Sequence, residues 1–219
     1  MDVVPTLPLS PDELLTTTRS VRRRLDLTRP VPMELVRECL EIALQAPSGS
    51  NRQGWQWIVV TDPAKRDLIG RIYQRAAHGY LASERSAARL FADDPERAEV
   101  QRRVGESVAW LADRMGQVPV LLVPCIQVDS GELPAGNQAG LWGSVLPAAW
   151  SYMLAARARG LGTAWTTLHL AYEAEVAELL GLPATVRQAA LIPTAFHTGE
   201  GFRPARRQPL DEVLHVDRW

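Results

Sequence analysis

The chain has 219 residues, of which 46% are hydrophobic, so it is long enough to bury one substantial core. Its formal net charge of -1 gives no overall attraction to polyanions, which argues against nucleic acid as a partner. The longest apolar run, residues 118–126, is far shorter than the roughly 20 residues that cross a bilayer, and no signal-peptide pattern is present, so we expect a cytoplasmic protein without a membrane segment.

The first third of the chain predicts two helices. Ser10-Pro11-Asp12-Glu13 is a capping box with proline at the first helical position, which predicts a short helix that ends near Thr18. Apolar residues then recur at helical spacing from Pro32, and this second helix must end before Pro47 because residues that precede proline avoid the helical region. The polar segment after Pro47 is typical of a loop.

The middle of the chain alternates strands and helices. Residues 55–61 and 118–128 are apolar runs that predict buried strands. Asp62-Pro63 has the pattern that begins a helix. Residues 76–115 are charged and helical in pattern, and Asp94-Pro95 begins a new helix within them. Cys39 and Cys125 fall within apolar patterns, so we expect two buried free thiols.

The last third predicts a long helix, a further helix and short strands. The predicted ranges are a helix over 137–159 closed by Gly160, a strand over 163–167, a helix over 173–180, a strand over 188–197 and an optional strand over 213–216. Trp150, in the long helix, is expected to pack in the core. Because strands alternate with helices and no linker interrupts them, the sequence predicts one α+β or α/β domain over residues 1–219, with about four or five strands flanked by helices.

Two polar strings about 25 residues apart carry the functional signal. The first is Thr18-Arg19-Ser20-Val21-Arg22, and the second is Ala46-Pro47-Ser48-Gly49-Ser50-Asn51-Arg52-Gln53-Gly54-Trp55. Arginine can bind a phosphate or an electron-rich ring edge, whereas Ser, Asn and Gln can line a polyol and a uracil-like edge with donors and acceptors. Together the strings suit a flavin mononucleotide.

At these residues the chain resembles the FMN-dependent nitroreductase family, which includes NAD(P)H nitroreductases and flavin reductases. Arg19, Ser20 and Arg22 match the Arg-Arg-Ser-x-Arg-like opening of the family. Its Pro-Ser-x-x-Asn-x-Gln-Pro-Trp-like turn is matched at Pro47, Ser48, Asn51, Gln53 and Trp55, and Arg206 or Arg207 matches its basic residue near the C-terminus. Two positions depart from the pattern: Thr18 replaces a basic residue, and Gly54 replaces proline.

The resemblance implies a three-layer α+β fold, with a central mixed sheet of about four or five strands flanked by helices, in an intertwined homodimer with flavins at the interface. It implies that Arg19 and Arg206 or Arg207 bind the FMN phosphate, that Arg22 lies at the N1 and C2 edge of the ring, and that a backbone N–H near residues 166–168 faces N5. The full implied set is Arg19, Ser20, Arg22, Pro47, Ser48, Gly49, Ser50, Asn51, Gln53, Thr166, Thr167, Leu168, Arg206 and Arg207. The flavin does the chemistry, so no side chain is assigned as catalytic, and no metal site is expected.

By this resemblance the leading hypothesis is an oxidoreductase that uses NAD(P)H and FMN to reduce nitroaromatic, quinone or similar electron-poor compounds by ping-pong two-electron transfer. A specialised relative is one alternative: a dehalogenase, an azoline oxidase or an enzyme that fragments its own flavin. A non-catalytic flavin-storage protein is another. The run Arg22-Arg23-Arg24, taken alone, is also typical of a solvated surface cluster.

Overall fold

The computed structural model describes residues 6–219 and contains, within them, six α-helices and five β-strands. The helices are α1 (Pro11–Thr17), α2 (Met33–Ala43), α3 (Pro63–Ala82), α4 (Pro95–Ala112), α5 (Ala139–Ala158) and α6 (Glu173–Leu180). The strands are β1 (Trp55–Val60), β2 (Val120–Gln127), β3 (Leu161–Thr163), β4 (Val186–Gln188) and β5 (Ile192–Phe196). In this range no helix has both the length and the apolar character needed to span a membrane.

The five strands form one sheet around β2. Its order is β1-β2-β5-β3, and β4 pairs with the far end of β2. All four strand pairings are antiparallel. In the described part of the chain, the mixed character expected of the sheet comes only from an isolated parallel bridge between Ser20 and Thr163.

Helices cover both faces of this sheet. Alternate residues of a strand point to opposite faces, and on β2 Leu121, Val123 and Cys125 pack in a cluster with residues of α3, α4 and α6. Val120 and Leu122 pack on the other face with residues of α2 and α5. Three layers result, which confirms the predicted fold class. Cys39 and Cys125 are buried free thiols in different clusters, as expected.

The helix starts that depend on local capping were predicted correctly. Ser10 accepts a hydrogen bond from the Glu13 amide at 3.2 Å, and the Glu13 side chain closes the box by accepting from the Ser10 amide. Asp62 and Asp94 cap α3 and α4 by accepting from the amides three residues on, at 2.8 Å and 3.1 Å.

Several predictions from the last third were wrong in detail. The short strand covers Leu161–Thr163, immediately after Gly160, rather than 163–167. The strand expected over 188–197 is divided into β4 and β5, and residues 213–216 form no strand. Trp150 is 39% exposed rather than buried in the core.

The division of β4 from β5 has a cause in β2. Gln188 pairs with Cys125, and Ile192 pairs with Leu122. The segment between these two pairs is therefore one residue longer on the β4–β5 side than on β2. This is the arrangement of a β-bulge. Opposite it stands Pro124, which has no N–H to donate to the ladder, although its carbonyl accepts from Ala189 at 2.8 Å.

Two glycines of α3 give a test of the packing between this helix and the turn at residues 115–117. A Cβ on Gly70 would lie 2.6 Å from the Gly116 backbone nitrogen, whereas a Cβ on Gly79 would have no atom of residues 6–219 within 4 Å. We expect Gly70→Ala to lower the free energy of unfolding by at least 1–3 kcal/mol, the usual cost of overpacking. Gly79→Ala, the matched control, should raise it by about 0.5–1 kcal/mol through helix propensity. Urea denaturation measures both, and equal effects would contradict the close contact at Gly70.

Candidate cofactor site

The first string, residues 18–22, which we call the opening, lies against the β3 edge of the sheet. The Val21 amide donates to the Thr163 carbonyl at 2.7 Å, and Ser20 forms a bridge with the same residue. The contact is close because Gly162 has no side chain: a Cβ there would lie 2.9 Å from Val21 Cγ1. The opening is therefore held at a fixed position beside β3.

A turn separates the three consecutive arginines. The Leu25 amide donates to the Arg22 carbonyl at 3.1 Å, which closes the turn. Arg23 is 55% exposed at its side chain and pairs with Glu106 of α4. Arg22 and Arg24 are both partly buried and lie in different surroundings, so the three residues do not form one solvated cluster.

Arg22 packs against α4, and only some of its guanidinium nitrogens have a hydrogen-bond partner among residues 6–219. Its Nη1 donates to Ser107 Oγ at 3.3 Å, but its Nε is buried and has no hydrogen-bond partner among residues 6–219. Burial lowers the pKa of Arg22, and the nearby Tyr73 and Tyr80 oppose this shift. A guanidinium in such surroundings is stabilised by an anionic or electron-rich partner.

The C-terminal segment meets the opening on the same side of the molecule. Arg19 Nη1 donates to the Arg203 carbonyl at 3.3 Å. Arg206 forms an ion pair with Glu96 at the start of α4. Within residues 6–219, Arg207 donates only to the carbonyl of Arg206, at 3.5 Å. The structure therefore brings the opening and the basic C-terminal residues together, and Arg207 is less engaged than Arg206.

The second string forms a strained, internally bonded turn before β1. Ser48 Oγ accepts from the Gln53 amide at 3.1 Å, and Gln53 Nε2 donates to Asn51 Oδ1 at 3.0 Å. Ser50, Asn51 and Gln53 have φ angles of 53°, 52° and 51°. Residues other than glycine rarely adopt this left-handed conformation, which is concentrated at ligand sites.

The turn is attached to α5 and opens onto a cavity. The Gly49 amide donates to Ser144 Oγ at 2.9 Å. A cavity of about 490 Å³ lies between the turn and the segment that joins β2 to α5. It is lined by Gly49, Ser50, Arg52, Gly54, Ile126, Gln127, Val128, Asp129, Ser130, Glu132, Pro134, Gly140, Leu141 and Ser144, so the opening and the C-terminal arginines contribute nothing to it. Pro47 is exposed at the start of the turn.

Only part of the predicted N–H donor segment is free to face a ligand. Thr166 is buried, and both its amide and its hydroxyl donate to the Leu191 carbonyl, at 3.1 Å and 2.7 Å. Its N–H is therefore already engaged by another residue of the chain. Thr167 is exposed and Leu168 begins a short 3-10 helix, so their amides remain the candidates.

The sheet register shows how far apart the two strings lie. Ser20 forms a bridge with Thr163 of β3, which pairs with Thr194 of β5, and Thr194 pairs with Val120 of β2. Trp55 of β1 pairs with Ile126, which lies six residues further along β2 than Val120. Six residues of strand span about 20 Å, and the four inter-strand steps from β1 to Ser20 span about 19 Å. The strings therefore lie at opposite corners of the sheet, on the order of 25 Å apart.

Two contacting residues were missed by the sequence analysis. Ser107 accepts from Arg22 and Ser144 accepts from Gly49, each from within a long helix. A serine on a helix has no sequence signal that distinguishes it from a surface residue. Only the packing of α4 and α5 on the sheet shows that these hydroxyls meet the two strings.

Comparisons with known proteins agree with this architecture. The chain is 32% identical over 215 residues to an NADH dehydrogenase of Thermus thermophilus, with 90% of each chain covered. It is 26% identical to human iodotyrosine deiodinase 1 over 214 residues, which are 92% of this chain but 66% of that protein.

Solved structures share the fold at lower identity. An FMN- and NADPH-dependent nitroreductase from a Sphigopyxis strain matches with a TM-score of 0.70 at 24% identity, covering 96% of this chain and 100% of the other. An iodotyrosine deiodinase bound to FMN and 3-iodo-L-tyrosine matches with a TM-score of 0.69 at 22% identity, covering 95% and 98%.

The profile of the Nitroreductase family matches residues 15–195, which include the opening, the turn and every strand of the sheet except the last residue of β5. This match confirms the resemblance on which the site was predicted and the predicted class of enzyme, an oxidoreductase. The chain belongs to the Nitroreductase family.

Proposed function

We propose that this protein is an FMN-dependent NAD(P)H oxidoreductase that reduces nitroaromatic, quinone or similar electron-poor compounds, and that all 219 residues act as one flavin-binding domain. The observation that carries the proposal is the placement of the two strings. Both suit the same pyrimidine edge of a flavin, yet one chain holds them on the order of 25 Å apart. Each chain therefore offers two half-sites.

The residues present fit FMN at the first half-site. Arg22 has a buried Nε without a partner among residues 6–219, which suits the electron-rich N1 and C2 edge of the ring. Arg19 and Arg207 are exposed side chains on the same side of the molecule, and both are able to bind a phosphate. Arg206 already pairs with Glu96, but this exposed pair is weak and can be exchanged.

The second half-site fits the same ligand from a partner chain. Ser48, Asn51 and Gln53 form a turn whose conformation is set by its own hydrogen bonds before any ligand binds. The adjacent α5 carries Trp150, whose 39% exposure on an apolar helix suits a surface that a second copy covers. We propose a homodimer in which the opening of one chain faces the turn of the other.

When bound, FMN supplies two-electron hydride chemistry, and the protein holds and tunes it. Arg22 would place a positive charge at the ring edge where reduction adds negative charge, and so would favour the reduced state. The amides of Thr167 and Leu168 would be the donors toward N5. Because Ser107 of α4 contacts Arg22, we expect this helix to lie near the ring and to affect which second substrate reaches it.

Arg22 and Arg23 form a matched pair for a test of cofactor binding. We expect Arg22→Ala to weaken FMN binding about 10- to 100-fold, because a charge-assisted hydrogen bond is worth roughly 1.5–3 kcal/mol. Arg23→Ala removes the same charge from an exposed neighbour and should leave the affinity within about twofold. Titration of the apoprotein with FMN, followed by fluorescence quenching, measures both. Equal losses would indicate a general charge effect.

Mixed dimers test whether the two half-sites come from different chains. Arg22→Ala and Asn51→Ala homodimers should each bind FMN poorly. A heterodimer of the two variants would place both substitutions in one site and leave the other site intact. We expect such a heterodimer, purified with two affinity tags, to recover about one FMN per dimer and half of the wild-type activity.

The opposite result has an equally clear meaning. If both strings served the site of their own chain, every site of the heterodimer would carry one substitution and no FMN would be recovered. A heterodimer of Arg22→Ala with Arg22→Ala,Asn51→Ala is the control, because it has no intact site in either arrangement.

Reductive dehalogenation is the second candidate, supported by the 26% identity to iodotyrosine deiodinase 1 across 92% of this chain. In that reaction two electrons and a proton replace a halogen on an aromatic ring, and halide leaves. The fold and both half-sites are compatible with either reaction.

Anaerobic half-reactions separate the two candidates. We expect NAD(P)H to bleach the flavin absorbance, and a nitroaromatic or a quinone to restore it, with parallel double-reciprocal lines in steady state. Recovery with 3-iodotyrosine alone, with release of iodide, would favour dehalogenation. Reduction by dithionite but not by NAD(P)H would contradict the proposed nicotinamide-dependent activity.

A further inference from the structure

A second group of basic side chains surrounds Phe202, at the point where the C-terminal segment leaves the sheet. The Arg24 guanidinium lies 4.2 Å from the ring centroid and that of Arg157 lies 4.9 Å from it. The His197 ring meets the same ring edge-on at 4.9 Å. Three basic residues, from the turn after the opening, the end of α5 and the position after β5, thus converge on one aromatic ring.

Arg157 is the buried member of this group. It is 4% exposed, and its Nε and Nη1 have no hydrogen-bond partner among residues 6–219. Both ring nitrogens of His197 are likewise buried without a partner in this range. Burial, followed by the charge of Arg24, lowers the pKa of Arg157. The pKa of His197 is lowered by burial, then by Arg157 and Arg24.

Arg24 cannot satisfy Arg157, because both guanidinium groups only donate hydrogen bonds and carry the same charge. It donates to the carbonyls of Thr198 and Gly201 at 2.7 Å and 3.2 Å, and also to that of Glu200. These contacts hold the segment after β5 over Arg157. The carbonyls at the C-terminal end of α5 and the face of Phe202 offset the charge of Arg157 only in part, because each carries a fraction of a negative charge.

From these contacts we infer that Arg157 and His197, next to Arg24, form a binding site for a free oxyanion of the phosphate class. This site is separate from the flavin half-site. A buried guanidinium needs a charged, hydrogen-bonding partner. A tetrahedral oxyanion offers several acceptor oxygens to the N–H groups on Nε and Nη1 of Arg157, which have no partner among residues 6–219, and to a His197 N–H. The site does not depend on the proposed flavin chemistry.

Two ligands carry the phosphate group that would fit this site: a free anion and the phosphate end of bound FMN. The following experiment distinguishes them. Inorganic phosphate is titrated calorimetrically into FMN-saturated protein in a chloride buffer of equal ionic strength. We expect one saturable phosphate site per chain that excess FMN does not displace. Displacement by FMN would assign the cluster to the flavin phosphate and overturn the inference, as would binding no stronger than that of chloride.

Variants locate the phosphate on the cluster. Arg157→Gln should weaken phosphate binding about 10- to 100-fold while FMN content, read from the visible spectrum, stays at the wild-type level. Arg203→Gln, which removes an equal charge from an exposed neighbour, should bind phosphate normally. If Arg157→Gln does not fold, His197→Phe supplies the test, since it removes both ring nitrogens and should weaken binding several-fold. Unchanged phosphate affinity in a folded Arg157 or His197 variant would overturn the site.

Discussion

The antiparallel register of the sheet is the constraint on which the rest of this protein depends. It aligns the opening with the start of β2 and the polar turn with its end, at opposite corners. A ligand edge that needs both strings cannot find them in one chain. In the proposed assembly, cofactor binding and association are therefore linked equilibria, and each stabilises the other by mass action.

The polar turn shows how the chain prepares its half of the site. Left-handed backbone at Ser50 and Gln53 costs on the order of 1–3 kcal/mol each, whereas asparagine tolerates it better. The hydrogen bonds of Ser48 and of Ser144 to this turn oppose that cost within the free chain. Donors and acceptors that are already oriented lose less entropy when a ligand binds. The strain thus serves pre-organisation.

The features that could be predicted from the sequence are those with local causes. Ser10, Asp62 and Asp94 cap helices through contacts within three residues, so their patterns were sufficient. The β-bulge opposite Pro124 depends on pairing across some 65 residues, and no local pattern shows it. The same holds for β3, which is a strand only because β5 and Ser20 pair with it. The residue pattern was enough to identify the two strings. The distance between them in the folded chain follows only from the register of the sheet.

The turn at Arg22 to Leu25 explains how three identical neighbours acquire three roles. Closing the chain between these residues directs Arg22 under α4, leaves Arg23 in solvent with Glu106, and turns Arg24 onto the carbonyls that follow β5. Charge counting along the sequence treats the run as a single solvated patch. The backbone instead distributes it between two buried sites that lack an acidic partner in the described chain, one suited to a flavin edge and one to a free oxyanion. Arg23, the exposed arginine between them, is the one with an acidic partner. In solvent this ion pair changes the free energy little whether it forms or breaks.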